Sequence, residues 1–146
     1  MKISQDGINL IKQFEGCELE AYPDPGTGGD PWTIGYGHTG SLVKQGMRIS
    51  AEEAEELLRA DLAKFEQCVD AALEAEITQH QFDALVCFAY NVGCRAMRNS
   101  TLIRLVNAGN IVAAQQQFRR WSKAGGKEMA GLLRRRDAEA ELFGLA

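Results

Sequence analysis

The chain lacks several features that would decide its class at once. In 146 residues there is no apolar run near the roughly 18 residues that mark a membrane-spanning helix. The opening stretch, MKISQDGINLIKQFEG, has no apolar h-region and no cleavage site, so no secretory signal is expected there. A cytoplasmic protein is the expectation. Histidine is scarce, and Cys17, Cys68, Cys87 and Cys94 form neither a C-x-x-C pair nor a zinc spacing with His38 or His80. No metal site is expected. Buried, reduced thiols are, as suits folding in a reducing compartment. No repeat, low-complexity tract or linker is present, and all three prolines lie between positions 23 and 31.

What remains is ordinary globular composition, 45% hydrophobic and 25% charged. The length fits one domain, or two small lobes sharing a helix. The net charge of −4 argues against general nucleic-acid binding, but it is unevenly spread. Residues 52–76 are acidic and residues 119–136 basic. Both runs read as solvated helix faces; the second also suits an anionic polymer.

Ser4 is placed to cap a helix running to about Glu15, with Gly16 as its stop. LEAY (19–22) and WTIGYGH (32–38) read as strands, joined by the turn-formers PDPGTGGDP. Ser50 with Glu53 forms a capping box, and so does Thr78 with Gln81. The first opens a long helix with Ala54, Leu57, Leu58, Leu62, Phe65, Val69 and Leu73 at helical spacing. The second opens QHQFDALVCFAYNVG, closed by Gly93. Three further helices are expected, at about 100–108, 111–122 and 128–143. The fold class is α+β, mainly α. An N-terminal helix and small β region (about 1–50) is followed by a connecting helix (about 51–74) and a helical part (about 75–146).

The acids near the front carry the chemistry. Glu15 falls in the last turn of its helix, where the negative end of the dipole disfavours a carboxylate. An apolar wall there would act the same way, keeping a carboxyl protonated for use as a general acid. Asp24, between Pro23 and Pro25, belongs to a loop where an ionised carboxylate is expected. Two carboxyls in contrasting settings are what glycoside hydrolysis requires. Thr33 offers a hydroxyl that can hold water. Two ordinary surface acids would have the same spacing. His38 reads as a structural hydrogen-bonder, His80 as exposed in a first turn, and Phe118 and Trp121 as core.

The order FEG, then Asp24 in AYPD, then Thr33 in TIGYGH resembles the phage-type lysozyme (endolysin) family of muramidases. The likeness continues through QFDALVCFAYNVG, NSTL at 99–102, Trp121 and GLLRRRDAEAELF, and covers nearly the whole chain. It implies a two-lobed, lysozyme-like fold with a cleft between lobes. It also implies Glu15 as general acid and Asp24 and Thr33 as the pair orienting water. Thr39, Tyr90, Asn91 and Ser100 fall on motifs that contact substrate. The implied reaction is hydrolysis of the bond between N-acetylmuramic acid and N-acetylglucosamine in peptidoglycan, inverting the anomeric centre. No cofactor is implied, and a monomer is. A holin is the implied partner, taking the enzyme from host cytoplasm to periplasm. One departure stands out: the loop PGTGGDPW is longer than the turn in many members, and its Asp30 rivals Asp24. Two other readings stay open. One is an amidase with Cys17 as nucleophile and His38 or His80 as base. The other is a non-catalytic wall- or nucleic-acid-binding module using the basic helices.

Overall fold

A computed structural model describes all 146 residues. Two compact units emerge: Ile11–Ala63, and Met1–Leu10 together with Lys64–Ala146. Two helices pass from one unit to the other, α1 (Gln5–Glu15) and α2 (Ala51–Ala72).

The smaller unit holds a three-stranded antiparallel sheet, ordered β1 (Glu18–Tyr22), β2 (Thr33–Gly35), β3 (His38–Thr39). The stretch expected as one strand over 32–38 is therefore two. Gly35 and Gly37, both at positive φ, turn the chain between them. Ala21 and Ile34 of this sheet and Val43 from the segment after it form a buried cluster, with Trp32, Met47, Ile49 and Leu57 packed around them. The Ser50 box forms as expected. The Glu53 N–H donates to Ser50 Oγ, and the Ser50 N–H to Glu53 Oε1, each at 3.1 Å. At Gly35 a Cβ would meet that of Ala54 at an ordinary 3.5 Å, so it is the backbone at φ 67°, not lack of space, that calls for glycine.

The larger unit is built on α3 (Gln79–Val92) and α7 (Ala130–Phe143), which pack against each other. The Thr78–Gln81 box is complete, and Gly93 ends α3 at φ 96°. Phe82, Leu85, Val86 and Ala89 are buried, as their helical spacing implies, and so is Phe118; Phe88, Met97, Leu102, Val106 and Phe143 join them in the core. Phe88, Phe118, Trp121 and Phe143 meet edge-on, with ring centroids 5.3–5.5 Å apart.

Two elements here were not legible in sequence: α4 (Cys94–Arg98) and a ladder of β4 (Lys123–Ala124) with β5 (Lys127–Glu128). The helix expected over 111–122 is α6 (Ile111–Gln117) followed by a 3-10 turn at Phe118–Trp121. Between α4 and α6 lies α5 (Thr101–Asn107). Ser4 precedes α1, but its hydroxyl donates to Asp83 rather than accepting from the helix.

The thiol expectation needs correcting. Cys68 on α2 and Cys94 on α4 are joined as a disulfide across 26 positions, with Cα atoms 6.1 Å apart. Cys17 is exposed rather than buried, and only Cys87 is a buried free thiol. No local motif announces the pair, because only the packing of α4 beside α2 brings the two sulfurs together. The charge runs also need revision. Glu66 is buried and accepts the Ile3 N–H at 2.7 Å, and Arg135 and Arg136 are buried within α7.

Candidate active site

Glu15 is the last residue of α1, half-buried. Gly16, at φ 68°, stops the helix, and Cys17 leads directly into β1. The chain thus runs from Glu15 to the sheet edge in two residues.

The sheet register collects the other candidates of this unit. On β2, Thr33 stands opposite Tyr22 of β1 and Thr39 of β3. Directly opposed residues share a face, so Thr33 and Thr39 lie on the same side. Neighbouring Ile34 points the other way, into the core. Asp24 follows Tyr22 by two residues, so the register also brings its loop to the Thr33 end of the sheet.

Asp24 anchors that loop. Its Oδ2 accepts the N–H groups of Gly26 at 3.0 Å and Thr27 at 3.1 Å. Its backbone N–H donates to the Gly29 carbonyl at 3.0 Å, and its carbonyl accepts from Gly28 at 2.8 Å. These bonds close residues 24–29 into a compact turn. The rival Asp30 is exposed, and it takes part in the loop through its backbone carbonyl, which accepts from Thr27 Oγ1 at 2.6 Å.

The smaller unit also carries a set of polar pairs. His38 places Nδ1 2.8 Å from Asp61 Oδ2, so the carboxylate holds the ring as a structural group. Lys12 bonds Glu55, which Arg59 also reaches at 3.3 Å. The Lys12 ammonium holds the Glu55 carboxyl below its ordinary range. Burial, and then the Cys17 thiol beside it, push the Tyr36 phenol up. The amidase reading finds no support in this arrangement. Cys17 neighbours a phenol, His38 is engaged by Asp61, and both ring nitrogens of His80 are held by Asp6 and the Ala146 carbonyl. His80 is accordingly half-buried rather than exposed.

The remaining candidates belong to the larger unit. Tyr90 and Asn91 occupy the last turn of α3. The Tyr90 ring meets Phe65 edge-on at 5.2 Å. The Asn91 amide accepts from Arg136. Ser100 is buried, and its hydroxyl is committed at both ends. It accepts the Ile103 N–H at 3.1 Å and donates to the Met97 carbonyl at 2.6 Å, capping α5. Sequence reasoning missed the cluster behind Asn91, made of Arg135, Arg136, Glu139 and Cys87. The charges at i, i+3 and i+4 in RRRDAE were the available signal.

The family model for phage lysozyme matches residues 12–139. The chain belongs to the phage lysozyme family. Its fold is that of the family. The muramidase domain of SpmX from Asticaccaulis excentricus superposes with a TM-score of 0.89 at 41% identity, covering 99% of both chains. The endolysin of Salmonella phage P22 is 42% identical over 98% of each chain. The endolysin of Bacillus phage B103 is 52% identical over 98% of this chain but 54% of its own length. The chain thus spans about half the length of the Bacillus phage endolysins it matches. The match takes in Glu15, Asp24, Thr33 and Thr39 in one unit and Tyr90, Asn91 and Ser100 in the other.

Proposed function

We propose that this phage lysozyme family member is an endolysin that hydrolyses the β-1,4 bond between N-acetylmuramic acid and N-acetylglucosamine in peptidoglycan. The register that sets Thr33 beside Thr39 and brings the Asp24 loop to the same end of the sheet is the observation that carries this reading. Glu15 is the general acid, protonating the leaving oxygen as the glycosidic bond breaks. Asp24 takes up the complementary role: with Oδ2 held by its own loop, Oδ1 accepts a proton from water, and the Thr33 hydroxyl fixes that water's position. Thr39, Tyr90 and Asn91 contact the sugars. Ser100 acts indirectly, by fixing the start of α5. Water attacking from the face opposite the leaving group inverts the anomeric centre.

The enzyme works on glycan strands in the periplasm, reached from the host cytoplasm once a holin has opened the inner membrane. The Cys68–Cys94 disulfide supports that compartment, since such bonds persist where the surroundings oxidise.

The deciding experiment compares the protein with its Glu15→Gln form on a permeabilised Gram-negative cell suspension. The expected result is loss of lysis by at least about 10²-fold, the usual worth of a general acid, with new reducing ends released only by the unsubstituted protein. New amino groups in place of reducing ends, or full activity in a folded Glu15→Gln protein, would reject the reading.

A further inference from the structure

Arg136 is wholly enclosed, at 0% exposure, as is Glu139. Its Nη1 donates to Glu139 Oε1 at 2.7 Å, its guanidinium lies over the Phe88 ring at 5.1 Å, and its Nε finds no acceptor. Arg135 also donates to Glu139, at 3.2 Å. Burial lowers the Arg136 pKa and raises that of Glu139, so both charges are held at a cost. A hydrophobic side chain of similar volume would fill the same space without that cost. One partner of Arg136 is exposed: Asn91, whose Oδ1 accepts from Nη2.

A guanidinium has donors and no acceptor. It can therefore hold the Asn91 carboxamide by the oxygen only, and the amide cannot flip without setting NH2 against N–H. Asn91 itself is exposed, and no group of the chain accepts a hydrogen bond from its NH2 branch.

We propose that Arg136 is a positioning residue of the sugar-binding surface, holding Asn91 so that its NH2 group is a fixed outward donor for the acetamido carbonyl oxygen of an N-acetylated sugar. The inference rests on the muramidase reading above. It makes Asn91 a determinant of selectivity for acetylated over de-N-acetylated glycan, and it gives the buried cation a reason to be there.

Asn91→Asp tests it with little disturbance, because a carboxylate keeps the bond to Arg136 and replaces the donor with an acceptor. The expected outcome is an unchanged or raised melting temperature and about tenfold weaker binding of tri-N-acetylchitotriose, near the worth of one hydrogen bond. On cell walls KM should rise with kcat kept. The de-N-acetylated trimer, whose ammonium groups donate, should bind better than to the unsubstituted protein. Arg136→Met should lower acetyl selectivity in the same way, with partial rescue by Arg136→Lys. If Arg136→Met does not fold, the Asn91→Asp arm decides alone. Equal binding of the acetylated trimer by the Asn91→Asp and unsubstituted proteins overturns the proposal, as does equal weakening toward both trimers. Either result with Glu15→Gln inactive leaves the muramidase reading standing. A protein that neither binds nor cleaves N-acetylated glycan removes both.

Discussion

Asp24 has one observed task and one proposed, on different oxygens. Oδ2 closes the 24–29 loop, and the proposed reaction uses the other. Gly26 sits against this arrangement: a Cβ added there would lie 3.1 Å from Asp24 Oδ2, tight enough to push the carboxylate by a few tenths of an ångström. Gly26→Ala is therefore expected to slow lysis by about tenfold, since small misplacements of catalytic groups are costly. Turbidity rates with unchanged circular dichroism would measure it, and an unaltered rate would mean that this carboxylate's position is not limiting. His80 gives a pH effect of known sign. Its hydrogen bond to Asp6, and then that to the Ala146 carbonyl, raise its pKa above the ordinary 6.5. The stabilisation is fully present below about pH 6.5 and fades as pH rises through the folded-state value. Melting temperatures of the protein and of His80→Gln should differ most near pH 5 and converge in alkaline buffer.

Among elements, the two capping boxes show what short-range chemistry decides. Ser50 and Thr78 each satisfy the first turn of a helix and fix where α2 and α3 begin. The α2–α4 disulfide works at longer range. Closing a loop across 26 positions constrains the unfolded chain by about 3.5 kcal/mol in the chain-entropy account. Reduction is thus expected to lower the melting temperature by about 10 °C for a chain of this size. Scans with and without reductant would read it, and Cys68→Ser should remove the difference. A Cys68→Ser protein that still responds to reductant would locate the effect elsewhere.

For the molecule as a whole, the proposed route from cytoplasm to periplasm has a direct test. Expressed alone in a Gram-negative cell, this chain is expected to accumulate as active enzyme while the culture stays intact. Lysis should then follow within minutes of adding chloroform to open the inner membrane. Prompt lysis without permeabilisation, with active protein in the periplasm of intact cells, would show that the chain crosses the membrane by itself.

The sequence by itself determined whatever rests on neighbours along the chain. Helix starts at Ser50 and Thr78, stops at Gly16 and Gly93, and the apolar stripes of α2 and α3 are local patterns with local causes. The candidates Glu15, Asp24 and Thr33 were legible because their motifs are contiguous. The tertiary structure decided what depends on residues far apart. It split the strand after Thr33 at two glycines, paired Cys68 with Cys94, turned His38 toward Asp61, and used the Ser100 hydroxyl as a cap. Its largest revision was to the basic run. Composition makes Arg134, Arg135 and Arg136 alike, yet only Arg134 stays in solvent. A charge is stable inside a protein only where oppositely charged and hydrogen-bonding partners surround it. Glu139 and Asn91, on α7 and α3, supply those partners for Arg136 only once the two helices have packed.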